Sequence, residues 1–183
     1  MLRPASRRRF LRTALLLPAA ALAHPAAAQV TPAFGAPTEQ QTEGPFFKPR
    51  SPLRASLIEP GVDGARLHVA GRVLGRDCRP IPGAVLEFWQ ADAQGRYDNG
   101  GFRLRGHQIA DAEGRWDLTT IVPAVYPGRT RHIHVKVAVP GRSPLTTQLY
   151  FPGESGNRRD GLYRRDLELA MSGGQGRFDF VLA

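Results

Sequence analysis

Residues 126–134 read Tyr-Pro-Gly-Arg-Thr-Arg-His-Ile-His. A tyrosine leads into a tight Pro-Gly turn, and an alternating stretch follows that carries His132 and His134. Side chains two apart on a strand point to the same face. The two imidazoles therefore converge on one point, and Tyr126 lies just across the turn from it. Two neutral nitrogens and a phenolate oxygen can hold a transition metal. Ile133, Val135, Val137 and Val139 would make the core face of this strand, with His132, His134 and Lys136 opposite. Spacing alone leaves a second reading open, two solvated histidines on a wet strand face, since small metal motifs recur by chance. Three other residues carry chemistry less specifically. Tyr97 reads equally as an aromatic at a strand start that fills the core. Arg129 can clamp an anion or stay solvated. Gln148 lies opposite Thr147, Leu149 and Phe151, as a polar site residue or an outward one.

The elements that must position these groups are short strands. Residues 66–74 alternate, with Leu67, Val69 and Val73 on one face and Arg66, His68 and Arg72 on the other. Residues 84–90, 115–121, 132–139, 146–151 and 177–182 are further strands. Two similar octets, Ala-Asp-Ala-Gln-Gly-Arg-Tyr-Asp at 91–98 and Ala-Asp-Ala-Glu-Gly-Arg-Trp-Asp at 110–117, each predict an Asp-x-x-Gly turn followed by an aromatic. The Gly-rich stretch 99–106 and the polar stretch 153–160 read as loops, and 161–171 has room for a helical turn or two. Short strands at regular spacing with Gly, Pro and Asp turns predict an all-β fold, an antiparallel β-sandwich with little helix. No βαβ alternation and no phosphate-binding glycine loop occurs, which disfavours nucleotide chemistry.

The 183 residues carry a formal charge of +9, but much of it sits in one segment. Ser6-Arg7-Arg8-Arg9-Phe10-Leu11-Arg12 is a twin-arginine pattern, followed by an apolar run from Ala14 to Ala23 and small residues at Ala26-Ala27-Ala28. The run is shorter than the ~20 residues a bilayer span needs. Residues 1–28 therefore predict a signal peptide read by the twin-arginine export machinery, and a periplasmic or extracellular destination. That route carries folded proteins, often with a cofactor already loaded. The segment holds five arginines and no acid, so the remaining 155 residues carry +4. No Lys/Arg block there calls for nucleic acid. Residues 29–41, rich in Pro, Thr and Gln, read as a flexible lead, and 42–183 as one domain. The single cysteine, Cys78, excludes an intramolecular disulfide and receives no role.

Four ordered blocks carry a resemblance. These are Thr-Glu-Gly-Pro-Phe-Phe at 42–47; Gly71-Arg-Val through Pro82-Gly-Ala to Phe88-Trp-Gln-Ala-Asp and Gly95-Arg-Tyr; 126–134; and Thr-Thr-Gln-Leu-Tyr-Phe at 146–151. Together they resemble the intradiol ring-cleavage dioxygenases, the group of catechol 1,2- and protocatechuate 3,4-dioxygenases. The resemblance implies a non-haem Fe(3+) site with Tyr97, Tyr126, His132 and His134 as ligands. It implies a catechol-type substrate and O2 as partners, and cleavage between the two hydroxylated carbons to a muconate-type diacid. Tyr126 would leave the metal when the substrate binds and act as a base. Arg129 would stabilise negative charge on the ring, and Gln148 would stand near it. The chain lacks the N-terminal helical extension that dimerises catechol-type members, which leaves a homo-oligomer open, and it looks like an exported single-domain branch. Phe46 and Phe47 stand where many relatives have tyrosines. Two other classes fit parts of the pattern. A non-catalytic transthyretin-like binding module shares the Gly-x-Val…Pro-Gly-Ala…Asp-Ala-x-Gly segment but has no need of Tyr126, His132 and His134 together. A zinc or copper His-x-His site would differ from ferric iron in colour.

Overall fold

The computed structural model describes residues 35–183. The twin-arginine segment 1–28 and the first residues of the 29–41 lead lie outside the described residues. Nine strands form two sheets, and a single 3-10 turn, Arg165–Leu167, is the only helical element described.

One sheet contains β1 (Arg66–Gly75), β4 (Arg115–Ile121), β7 (Ala170–Ser172), β8 (Gln175–Arg177) and β9 (Phe180–Leu182). The other orders β3 (Arg105–Ile109), β2 (Val85–Trp89), β5 (His132–Ala138) and β6 (Leu145–Tyr150) side by side. Alternation decides the facing. Leu67, Val69, Val73 and Leu118 of the first sheet and Leu86, Phe88, Ile133, Val135, Val137 and Leu149 of the second are all buried in one core. The opposite face of the second sheet therefore carries Trp89, Arg105, His132, His134, Lys136, Gln148 and Tyr150.

The second sheet is antiparallel throughout, whereas the first is mixed. The stretch expected as one strand, 177–182, is two. β8 runs parallel to β1 at 68–70, and β9 runs parallel to it at 73–75. Between them the backbone passes over Gly71, where a Cβ would lie 1.6 Å from the Phe178 carbonyl oxygen. The Asp179 carboxylate accepts from the Arg72 N–H there, 2.8 Å, replacing a ladder bond. β3 was not anticipated, since 99–106 read as a loop. Its Arg105–Ile109 backbone pairs with β2 on one side and with Leu53 on the other.

Both octets make the expected turn. Asp92 Oδ1 accepts from the N–H groups of Gln94 and Arg96, and Asp111 Oδ1 from those of Glu113 and Arg115. They then diverge. Trp116 enters β4 and the core, beside Phe88 and Phe180. Tyr97 instead enters a loop that Asp98 fastens through the N–H groups of Gly100, Gly101 and Arg103.

One segment wraps the sandwich. Thr38 exchanges hydrogen bonds with Val181, and Gln41 N–H donates to the Thr146 carbonyl at the outer edge of β6. The end of the stretch read as a flexible lead is thus pinned. Residues 42–47 cross the polar face of the second sheet. Residues 52–57 then bond an edge strand of each sheet, with Arg54 N–H to the His107 carbonyl on β3 and Leu57 N–H to the Thr119 carbonyl on β4. Both edges of the second sheet, β6 and β3, are covered in this way.

Candidate metal centre

The two histidines stand as their spacing predicts, but they are not solvated. His132 and His134 are 4 % and 3 % exposed. Their Nε2 atoms lie 3.1 Å apart. His132 Nδ1 is 2.7 Å from the Thr130 carbonyl oxygen, which fixes its proton on Nδ1 and leaves Nε2 as a lone pair. His134 stacks on Trp89 at 4.8 Å and 8°. Gly44 sits against its edge, where a Cβ would be 3.4 Å from Cε1. Nδ1 of His134 is buried and has no partner.

The loop after the first octet brings the Tyr97 hydroxyl to 3.4 Å from His132 Nε2. The Tyr97 ring is held between Phe46, stacked at 4.3 Å, and the edge of Tyr126 at 5.9 Å. Tyr126 starts a turn closed by Arg129 N–H to its carbonyl, 2.9 Å, with Gly128 at φ +81°. Its ring packs edge-on against Phe46 at 5.3 Å. Among the described residues its hydroxyl makes no hydrogen bond to either histidine. The fold thus gathers Tyr97, His132 and His134 at one point and sets Tyr126 beside them by ring packing.

Burial shapes the electrostatics. It pushes His132 down to about 4, helped by the Arg129 charge and opposed by the Thr130 hydrogen bond. Burial, then His132, Arg129 and Arg105, push His134 well below the ordinary histidine value. Both rings are therefore neutral donors at pH 7. Burial raises the Tyr97 phenol above its usual value, against the pull of Arg129 and Arg105. Two Nε2 atoms 3.1 Å apart cannot both present lone pairs without repulsion, and a cation among the three atoms would reverse this by binding both lone pairs and favouring the phenolate. No cluster of three or more His, Cys, Asp or Glu occurs among the described residues. The oxygens that the fold brings beside the two imidazoles are the phenols of Tyr97 and Tyr126, hard donors suited to a highly charged ion. The residues present fit such an ion.

Arg129 and Gln148 lie at the same place. Arg129 Nε meets both oxygens of Asp160 at 3.1 and 2.9 Å, and Nη2 donates to Gln148 Oε1 at 2.6 Å. Gln148 Nε2 donates to the Thr42 carbonyl, 3.1 Å. Lys136, next on the histidine face, pairs with Glu43 and lies over the Phe47 ring at 3.8 Å. Residues 42–47 are thereby fastened across the site.

Several participants were not singled out from the sequence. Trp89, Gly44 and Arg105 lie in or beside the sequence blocks 42–47 and 88–106, where no spacing marks them as part of a site. Arg105 is 1 % exposed, donates through Nε to the Asp98 carbonyl and through Nη1 to the Phe46 carbonyl, and holds the Tyr97 loop to the crossing segment. Tyr150 faces His132 one alternation beyond Gln148, with its hydroxyl 2.7 Å from Gln41 Oε1. Asp160 carried no local signal.

A family model described as "Dioxygenase" matches residues 42–162. A hydroxyquinol 1,2-dioxygenase of Nocardioides simplex is 30% identical over 155 residues, covering 72% of this chain and 53% of its own. A protocatechuate 3,4-dioxygenase beta chain of Burkholderia cepacia is 37% identical over 109 residues, covering 50% and 46%. The chain spans about half the length of the curated relatives it matches. Among solved structures, the dioxygenase domain of a dioxygenase carbohydrate-binding protein fusion from Streptomyces sp. SirexAA-E superposes with a TM-score of 0.77 and 54% identity. It covers 80% of this chain and 98% of that domain.

Proposed function

From a chain that belongs to the intradiol ring-cleavage dioxygenase family, we propose an enzyme that cleaves a catechol-type ring between its two hydroxylated carbons, adding both atoms of O2 to give a muconate-type diacid. The observation that carries this is the convergence of two buried, neutral imidazoles and a buried phenol on one point. A binding module has no use for it.

His132, His134 and Tyr97 would hold ferric iron, with Tyr126 as the fourth ligand on the strength of its place beside Tyr97. Ferric iron bound there would draw electron density from a catecholate and open its ring carbon to O2. The protein's own residues do the rest. Thr130 keeps the His132 lone pair aimed inward, and Trp89 with Gly44 fixes the plane of His134. Phe46, Phe47 and Trp89 wall the site with apolar surface that excludes water. Tyr126, less enclosed than the histidines, would take a substrate proton. Arg129 supplies positive charge where negative charge grows on the ring. The sequence of residues 6–28 supports export by the twin-arginine route, which would put the reaction in the periplasm or outside the cell.

The test is the visible spectrum of the iron-loaded chain before and after anaerobic addition of catechol. A tyrosinate-to-iron band that moves to longer wavelength is expected, and His134→Ala should lose both the band and most of the bound iron. A protein that stays colourless after ferric loading would sink this reading in favour of a binding module or a zinc site.

A further inference from the structure

Arg129 is held near the centre through two of its guanidinium nitrogens. Its side chain is 18 % exposed, and that of its partner Asp160 is 2 %. The Asp160 carboxylate accepts from Arg129 Nε with both oxygens, from Thr130 N–H at 2.8 Å and from Leu162 N–H at 2.9 Å. Gln148 Oε1 and the Tyr150 hydroxyl, at 2.6 and 3.3 Å, occupy Arg129 Nη2. The Tyr150 hydroxyl is in turn fixed by Gln41 Oε1 and the Leu162 carbonyl. Among the described residues, Nη1 alone is left without a protein acceptor. The same guanidinium bears electrostatically on Tyr97, His132 and His134.

We propose that Asp160 is the positioning residue for Arg129. It holds the guanidinium by Nε, so that Nη1 is the donor offered to a substrate oxygen. The physical reason is preorganisation. A free arginine samples many rotamers, whereas a guanidinium gripped on Nε and Nη2 has one orientation before the substrate arrives. Asp160 lies in the loop after β6 and Thr130 in the segment before β5, so one carboxylate ties both to the arginine between Tyr126 and His132. The kinetic part of this inference rests on the ring-cleavage reading; the structural part does not.

Two measurements test it. In the metal-free full chain, the Arg129 Nε–H, identified in 15N NMR by its loss in Arg129→Lys, should exchange with water far more slowly than the Nε–H groups of exposed arginines. Exchange at the same rate would overturn the proposal, and this measurement needs neither a variant of Asp160 nor activity. In the iron-loaded chain, Asp160→Asn should lower kcat on catechol about 100-fold, the scale of a misplaced catalytic group, with KM changed less than threefold and iron content kept. Asp160→Glu should recover part of the loss. In an Arg129→Ala background, Asp160→Asn should change kcat less than threefold, since it acts through a group already removed. An equal fold loss in both backgrounds would make Asp160 a loop fastener and overturn the proposal. Wild-type protein that cleaves no catechol-type diol would sink the ring-cleavage reading instead, and the exchange measurement would still decide how Arg129 is held.

Discussion

Asp160 keeps a charge where burial works against one. Burial raises its carboxyl pKa, but the N–H groups of Leu162 and Thr130 and the Arg129 guanidinium outweigh that and hold it below the usual range. Breaking a buried pair strands the other charge, at roughly 3–5 kcal/mol. A carboxyl whose folded pKa lies below its unfolded value of about 3.9 contributes stability that is present in full above that value. The contribution is lost as pH falls through the folded value. Urea midpoints for the metal-free chain should therefore fall with acidification below about pH 4, and Asp160→Asn should show a lower plateau at pH 7 and a shallower acid limb. Parallel limbs would show that this carboxyl is not held low. At this scale the sequence told half the story. The convergence of His132 and His134 was legible from strand period, and the place of Tyr126 beside them from a turn. Tyr97 was legible through family likeness alone, because its octet twin leads to Trp116 in the core. Asp160 was hidden, since nothing local relates it to a partner 31 positions away. Tyr150 was readable in principle, being two residues beyond Gln148 on the same face.

Among the elements, the loops bearing the two tyrosines meet at a glycine. Gly95 has φ +78°, and a Cβ there would lie 2.3 Å from the Val125 carbonyl oxygen, the residue before Tyr126. Ala124 N–H also donates to the Asp92 carbonyl, 3.0 Å, across the same junction. Gly95→Ala should part the loops and lower iron content and the tyrosinate band about tenfold or more, with the sheets' far-UV signal kept. Gly83→Ala is the control. It has a similar φ of +72° but open space around the added methyl, so it carries the ~1–2 kcal/mol backbone strain without the collision. Equal iron retention by the two variants would show that strain, not spacing, matters at Gly95. Strands with clean alternation, β1, β4, β5 and β6, were readable at this scale. β3 was not, because His107 and Gln108 supply no apolar face, and its pairing with β2 and with residues 52–54 makes it a strand.

For the whole molecule, the consequence lies in how residues 38–57 tie site to scaffold. This segment closes the β6 edge, crosses the metal face and closes the β3 edge, so the covers of the sandwich and the roof of the centre are one piece of chain. No alternation or turn signal in a Pro-rich stretch reveals that role, since its partners are edges made by residues far later in the chain. A chain beginning at Thr42 keeps the roof but loses the bonds of Thr38, Glu39 and Gln41 to Val181, Thr147, Thr146 and Tyr150. At ~0.5–1.5 kcal/mol for each hydrogen bond, several lost together should cost about 3 kcal/mol. For a domain of this size that lowers Tm by roughly 6–12 °C. The freed β6 edge should also pair between copies, raising the apparent mass with concentration. Both effects are read against a chain beginning at Gly35, by thermal melting and by light scattering over a concentration series. A Thr42 chain that melts and scatters like the longer one would show that residues 35–41 merely lie along β6. A chain that is less stable yet still takes up ferric iron with an unchanged spectrum would locate the organisation of the centre in residues 42–47 alone. That outcome is expected, because Gly44, Phe46 and Phe47 contact the site through their own side of the sheet and not through the covered edge.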